Sequence, residues 1–253
     1  AVGLVVNRLA GPTATDATAL QVRANMGGFQ PAALTVKAGQ TVKIEFTSTD
    51  TAAHSDGGGV TVLKGRNPYG KYVDGSVGKS FAYGAIGGLL IVEGQADSRF
   101  CIRLSGADVL LAGEPERPVQ DELGNIAARA QAKGFAFEYM TRGRAVVLGD
   151  PGPWICSGMT GGRVYLRYWP EMGLDESAHA RRLAKGAKVV LQKLDARGVE
   201  DLRELVGAYI HKLNQAERHA KAAGLEALLQ DPASHFRMVV PANQQVVQEV
   251  STE

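Results

Sequence analysis

Residues 75–94 read GSVGKSFAYGAIGGLLIVEG, a glycine-rich bend followed by a short apolar run, and this pattern returns three times. The later units are RFCIRLSGADVLLAG at 99–113, EYMTRGRAVVLG at 138–149 and CSGMTGGRVYLR at 156–167. Gly94 and Gly113 lie 19 residues apart, and so do Gly143 and Gly162. A period of about 20 residues with one strand per unit is typical of a solenoid, whose repeats bury their apolar faces against each other. We therefore predict a mainly β fold, a β-helix of stacked short strands.

The composition is that of a globular protein. The chain has 253 residues, of which 45% are hydrophobic and 21% are charged, and its net charge is +2. No dense basic stripe is present, so we do not expect a nucleic acid or an anionic membrane as partner. No apolar run reaches the ~20 residues of a membrane span, and no signal peptide is recognised. We expect a soluble cytoplasmic protein.

The two cysteines, Cys101 and Cys156, are too few for an all-cysteine iron–sulfur cluster or zinc site. Their redox state and pairing stay open at this point. Cys101 lies between Phe100 and Ile102, which indicates a small buried apolar side chain. In a strand, the arginines two positions to either side would share its face and lower the pKa of the thiol. We favour burial over a nucleophilic role.

Residues 1–59 are predicted to form a small β region. Apolar and polar residues alternate at 34–36 and 42–46, around a turn at 37–40, which predicts a hairpin. His54 follows in the polar loop TSTDTAAHSDGGG, and the stretch 29–56 resembles the start of cupredoxin domains. That resemblance implies a copper-binding electron carrier, with His54 as a ligand. The other histidines lie far along the chain, so we favour a loop role for His54.

Three phrases of the repeat carry a second resemblance. RFCIRLSGA at 99–107, EYMTRGRAVVLG at 138–149 and SGMTGGRVYL at 157–166 resemble the carboxy-terminal GXGXG domain of the glutamate synthase large subunit. The resemblance implies a right-handed β-helix over 60–170, similar to the third subunit of formylmethanofuran dehydrogenase and of the formyltransferase/hydrolase complex. It also implies that FMN and an iron–sulfur cluster belong to partner domains, with no cofactor in this chain.

The sequence departs from that family at two places. Residues 114–133 form a longer connection than usual, and Leu123, Ile126 and Ala130 are spaced as on a short outer helix. Ala136 and Phe137 stand where the family commonly has Gly-Cys, which removes any role for a thiol there.

Glycine pairs precede two of the apolar runs, at 87–88 and 161–162. A phosphate-binding loop needs glycines that follow a strand and open a helix, whereas here strands follow the glycines. We therefore interpret the glycines as corners at which the backbone adopts positive φ angles.

Polar and aromatic residues of the repeat offer one candidate site. Glu138, Arg142 and Arg144 would form a polar cluster, but alternation along strands favours an outward, solvated position for them. Tyr139 and Trp154 are interpreted as packing residues at the corners.

Residues 171–253 are predicted to be largely helical. VVLQKL at 189–194 indicates a strand, an apolar stripe from Val199 to Leu213 indicates an amphipathic helix, and a second helix is expected at 215–230. FRMVVP at 236–241 indicates a last strand. His211 and His219 would share a helix face only in an unbroken helix, and we expect Asn214 to break it, so metal binding there is not predicted.

We assign no catalytic, cofactor-binding or metal-binding residue to the chain. The resemblance implies a non-catalytic scaffold of a glutamate-synthase-like oxidoreductase complex of the glutamine amidotransferase and FMN type, with the other subunits as partners. The alternative is the β-helix subunit of a formyltransferase/hydrolase or formylmethanofuran-dehydrogenase-like complex. The helices after Val199 favour the first alternative.

Overall fold

A computed structural model describes residues 75–119 and 130–244, together with the backbone of six short strands before residue 75. Three of these strands form a small sheet in the order β2-β1-β3, in which β1 pairs antiparallel with β2 and parallel with β3. The six strands are β1 (Leu20–Asn25), β2 (Gly28–Gln30), β3 (Ile44–Ser48), β4 (Val60–Val62), β5 (Gly65–Arg66) and β6 (Tyr72–Val73). The predicted hairpin at 34–46 lies mostly outside the described residues, and His54 lies wholly outside them.

The main sheet has seven strands in the order β11-β12-β10-β9-β8-β7-β4. All pairs from β4 to β10 are parallel, whereas β12 pairs antiparallel with both β10 and β11. Its last six strands are β7 (Leu89–Val92), β8 (Ser105–Leu111), β9 (Arg142–Val147), β10 (Arg163–Arg167), β11 (Val189–Gln192) and β12 (Phe236–Pro241). The predicted strands at 189–194 and 236–241 are confirmed.

The sequence period sets the register of the parallel strands. Leu89 pairs with Asp108, Asp108 with Arg144, and Arg144 with Arg163. The first and last steps are 19 residues in sequence, and the middle step is 36 because it contains the inserted segment 114–133. Equivalent positions of the repeat therefore lie side by side across the sheet.

In the part of the chain that the structure describes, four α-helices follow or flank β10 and β11. They are α1 (Glu176–Arg182), α2 (Ala196–Gln215), α3 (His219–Leu228) and α4 (Pro232–His235). Asp195 caps α2, because its side chain accepts a hydrogen bond from the backbone N–H of Gly198 at 2.6 Å. The predicted amphipathic helix is confirmed, and its stripe of Leu202, Leu205 and Val206 is buried. The helix ends just after Asn214, as expected, so His211 and His219 lie on different helices. None of the described helices is long and apolar enough to cross a bilayer.

Both faces of the sheet are buried, which explains the unbroken apolar runs in its strands. On one face, side chains such as Leu90, Val109 and Val147 pack against the glycine-rich bends. On the other face, Ile91, Leu110, Val146 and Tyr165 pack against α2 and α3, and α2 contributes Leu205, Tyr209 and Leu213 to this contact. The residues described at 75–119 and 130–244 are thus arranged in three layers, which are the bends, the sheet and the helices.

The prediction of a mainly β protein folded as a right-handed β-helix is wrong. Helix accounts for 29% and strand for 24% of the residues described from 75 to 119 and from 130 to 244, and the strands of the repeat belong to one mixed sheet. The physical reason lies after residue 170, where β12 and β11 extend the sheet in the antiparallel direction and α2 covers the face that the bends leave open. The period is real, but it builds neighbouring strands of an α/β sheet.

Candidate docking face on the glycine-rich bends

Each of four successive bends contains three residues with positive φ at alternate positions. In the second bend these are Arg99, Cys101 and Arg103, with φ of 62°, 56° and 57°. The equivalent residues of the other bends are Ser80, Ala82 and Gly84, then Phe135, Phe137 and Tyr139, and finally Trp154, Cys156 and Gly158. Ten of these twelve residues are not glycine, although positive φ is uncommon for residues with a side chain. The repeat is therefore visible in the backbone dihedral angles as well as in the strands.

Backbone hydrogen bonds hold adjacent bends together. The outer residues of the first three triplets donate to the following bend, as Arg99 N–H does to the carbonyl of Gly134 at 2.8 Å. The middle residues of the last three triplets donate to the preceding bend, as Cys101 N–H does to the carbonyl of Phe81 at 2.9 Å. Equivalent residues consequently stack in columns that run across the four bends.

The middle column is buried. Ala82, Cys101, Phe137 and Cys156 are almost fully shielded from solvent, so the predicted burial of Cys101 is confirmed. Both cysteines are free thiols, and burial raises the pKa of each of them above its ordinary value. A thiol whose pKa is raised carries little thiolate at neutral pH, which argues against a nucleophilic role.

The outer columns are exposed. Phe135, Tyr139 and Trp154 are 40%, 52% and 50% exposed, so Tyr139 and Trp154 lie at the corners but are only partly covered by their neighbours. The rings of Phe135 and Trp154 stack with centroids 4.9 Å apart, and the Arg103 guanidinium lies 6.0 Å from the centroid of the Tyr139 ring. We call the outward side chains of residues 79–84, 97–103, 133–139 and 154–158 the bend face.

The bend face has an excess of positive charge. Its cations are Lys79, Arg99, Arg103 and Lys133, and its carboxylates are Asp97 and Glu138, which leaves a difference of two positive charges. Glu138 lies 3.9 Å from the Arg99 guanidinium, and Asp97 accepts a hydrogen bond from the backbone N–H of Ser98 at 2.6 Å. Arginine beside exposed aromatic rings is a composition enriched at protein interfaces.

The structure separates the residues of the predicted polar cluster. Glu138 belongs to the bend face and Arg142 is exposed at the start of β9. Arg144 points to the helical side, where its guanidinium binds carboxylate oxygens of Asp108 at 2.6 Å, Asp201 at 2.9 Å and Glu204 at 2.6 Å. The hydrogen bonds to Asp108 and Glu204 raise the pKa of Arg144. The Arg144 cluster therefore joins β8 and β9 to α2, and the expected solvated position of this arginine is wrong.

A fully buried ion pair that no sequence motif predicted joins α1 to the turn after β9. The guanidinium of Arg182 in α1 donates to both carboxylate oxygens of Asp150, at 2.6 and 2.7 Å, and both side chains are 0% exposed. Asp150 also accepts a hydrogen bond from the Gly152 N–H at 2.9 Å, and its own N–H donates to Gln131 at 2.7 Å. The partners are 32 residues apart and share no motif, so no sequence pattern links them.

His179 lies beside this pair and is fully buried. Its Nε2 is 3.0 Å from the carbonyl oxygen of Arg167, whereas its Nδ1 has no hydrogen-bond partner. Burial is the main cause that lowers the pKa of His179 from 6.5 to about 4, and the nearby Arg182 charge acts in the same direction. The ring is therefore neutral at physiological pH. Among the described residues, no group of three or more His, Cys, Asp or Glu side chains is placed to hold a metal ion.

The glycines serve two structural purposes. Gly88 and Gly162 have φ of 82° and 85° directly before β7 and β10, which confirms that the two glycine pairs make the same bend. Gly149 is required for a different reason, because a Cβ there would lie 2.4 Å from the carbonyl oxygen of Gly113. None of these three glycines opens a helix, so the geometry of a phosphate-binding loop is not formed around them.

Comparison with known proteins links the chain to one family. The family described as the GXGXG motif matches residues 13–242. The glutamate synthase [NADPH] large chain of Bacillus subtilis (strain 168) is 27% identical over 212 residues, which cover 82% of this chain and 12% of that protein. The chloroplastic ferredoxin-dependent glutamate synthase of Spinacia oleracea is 28% identical over 182 residues, covering 71% of this chain and 10% of that protein. The chain thus spans about a tenth of the length of these curated relatives.

Proposed function

Because this chain belongs to the GXGXG motif family, we propose that it acts as a non-catalytic scaffold domain or subunit of a glutamate-synthase-like oxidoreductase complex. The observation that carries the proposal is the similarity to glutamate synthase large chains along most of this chain, within a small part of theirs. The relatives named above are glutamate synthases, which supports this function over a one-carbon transfer complex.

The charged groups of the described structure support a scaffold role. Arg144 joins the sheet to α2, and Arg182 of α1 binds Asp150 in the turn that follows β9. Arg163 at the start of β10 likewise binds Asp195, the cap of α2, at 2.7 Å. Groups held in this way stabilise the arrangement of elements through charge-assisted hydrogen bonds.

We propose that the partners are the other subunits or domains of the complex, with neither a nucleic acid nor a membrane as partner. FMN and the iron–sulfur cluster would be held by those partners. The described residues do not fit either group, since Cys101 and Cys156 are buried in separate bends and Gly88 and Gly162 lead into strands. A copper site that includes His54 stays a prediction, because that residue lies outside the described part of the chain.

The test is to purify the chain alone and to measure glutamine hydrolysis and glutamate formation from glutamine and 2-oxoglutarate. We expect neither activity. Either activity in the isolated chain would contradict the scaffold role. A tagged form of the chain, expressed together with its candidate partners and purified by the tag, should retain a partner whose absorption spectrum is that of a flavin. Recovery of an amidohydrolase-like metalloprotein would instead support the one-carbon alternative.

A further inference from the structure

Large side chains occupy backbone positions of the bend face at which glycine is also found. In one outer column, Gly84 and Gly158 occupy the two ends and Arg103 and Tyr139 lie between them, so the fold does not require a side chain there. Tyr139 nevertheless has a φ of 54°, a conformation that is rare for a bulky residue. Such outliers persist where the surrounding structure imposes them, and they are frequent at functional sites.

Packing within the chain does not explain these side chains. Trp154 and Phe135, both at positive φ, stack on each other but are about half exposed, as is Tyr139. The Tyr139 ring also lies over Gly158, where a Cβ would be 2.5 Å from its Cδ1 atom. The aromatic rings therefore form two partly exposed patches over the third and fourth bends, Phe135 with Trp154 in one outer column and Tyr139 in the other.

The cations lie beside this aromatic surface and not within it. Arg99 precedes Phe135 in one outer column, and Arg103 precedes Tyr139 in the other. Lys133 is exposed two residues before Phe135. The face thus presents an apolar area that is bordered by an excess of positive charge, which is the complement of apolar side chains flanked by carboxylates.

We propose that the bend face is a docking surface for a partner subunit that presents carboxylates beside aromatic or large aliphatic side chains. The aromatic rings would contact the apolar side chains of the partner, and the arginines would bind its carboxylates with charge-assisted hydrogen bonds. This inference rests on the proposed scaffold function only for the origin of the partner, a neighbouring subunit of the complex. The chemistry of the surface is argued from its own residues.

The test starts with a library of random dodecapeptides displayed on phage. Peptides are selected on the immobilised wild-type chain after depletion on the double variant Tyr139→Asn/Trp154→Asn. Asparagine is the non-glycine residue that best tolerates positive φ, so this variant should fold. Its circular dichroism and urea unfolding midpoint are measured to confirm that it does, and a purely structural role of the two rings would instead lower the midpoint.

We expect selected peptides to be acidic and to contain an aromatic or large aliphatic residue. A synthetic peptide of the most enriched sequence should bind the wild-type chain and bind roughly tenfold more weakly to Arg99→Glu/Arg103→Glu. Its affinity should also fall as salt is raised from 50 to 500 mM, because the shorter Debye length screens the attraction between the arginines and the carboxylates of the peptide. The matched control Arg197→Glu/Arg203→Glu makes the same charge change at exposed positions of α2 and should leave the affinity unchanged.

Four results would overturn the inference. They are failure to enrich peptides over the depleted variant, enrichment of neutral or basic peptides, loss of affinity in the α2 control equal to that on the bend face, and occupancy of the face by another ligand. The last is measured by fluorescence anisotropy with single-stranded oligothymidine and by light scattering for self-association through the aromatic rings.

The docking inference and the scaffold proposal can fail independently of each other. Enzymatic activity of the isolated chain would refute the scaffold role and leave the peptide selection unaffected. Conversely, a flavoprotein partner retained by the double variant Tyr139→Asn/Trp154→Asn would place the scaffold contact elsewhere on the molecule and refute only the docking inference.

Discussion

Replacing Arg182 by methionine should destabilise the protein strongly, because it leaves the carboxylate of Asp150 buried without its cation. Both side chains are 0% exposed, and two hydrogen bonds of 2.6 and 2.7 Å join them. Only the Gly152 N–H then remains as a described donor to the Asp150 side chain, at 2.9 Å. Removal of one partner from a buried ion pair costs about 3–5 kcal/mol. For a chain of this size we expect the melting temperature to fall by about 10 °C.

The measurement is urea unfolding followed by circular dichroism, with the free energy of unfolding obtained by linear extrapolation. Arg181→Met is the matched control, because Arg181 is the exposed neighbour on the same helix, and we expect a change within about 0.5 kcal/mol. The double variant Asp150→Asn/Arg182→Met should lose less than the sum of the single variants, since it leaves no unpaired charge. A loss below about 1 kcal/mol in Arg182→Met, or strict additivity in the double variant, would refute the reasoning.

Three further predictions concern single residues. Burial lowers the pKa of His179 to about 4, so the unfolded chain binds more protons than the folded one between pH 6.5 and 4. The free energy of unfolding should therefore fall by about 3 kcal/mol as the pH is lowered through this window. In urea titrations, His179→Gln should remove this part of the pH dependence. Gly149→Ala places a Cβ 2.4 Å from a backbone oxygen and should cost several kcal/mol or prevent folding. In contrast, the Cβ of Gly207→Ala in α2 meets nothing within 4 Å, so this variant should be more stable by about 0.5–1 kcal/mol. Equal midpoints of the two variants in thermal unfolding would contradict this prediction. Arg144→Met should cost about 2 kcal/mol and Arg142→Met almost nothing, and a loss confined to Arg142→Met would show that the Arg144 cluster does not fasten α2.

The local elements of the fold were predictable because their signals lie within short stretches. The apolar runs that became β7, β8, β9 and β10 are visible as a repeat, and the stripe from Val199 to Leu213 shows the period of a helix. The α2 cap was not recognised, and the helix begins at Ala196, three residues before the apolar stripe.

The fold class was not predictable from the repeat. A run buried on both faces reads the same whether the covering layer is another coil of a solenoid or a helix. The direction of β12 and the position of α2 decide between these alternatives, and both depend on contacts between residues far apart in sequence.

The exposed side chains of the bend face could not be predicted from the sequence, and the reason is geometric. In a strand, Arg99, Cys101 and Arg103 would share one face, because side chains alternate with a period of two. In the bend these residues adopt positive φ, so the chain curls and only the middle side chain is buried. The same geometry leaves Tyr139 about half exposed at its corner.

The sequence by itself determined the repeat, its register and the family, because glycine placement and apolar runs are local constraints that survive in any arrangement of the elements. Only the tertiary structure decided that the repeat builds one mixed sheet, that Arg182 meets Asp150, and that aromatic rings and arginines meet on one exposed face. These features depend on which distant segments come together to bury apolar area and pair charges, and short-range patterns do not encode that choice.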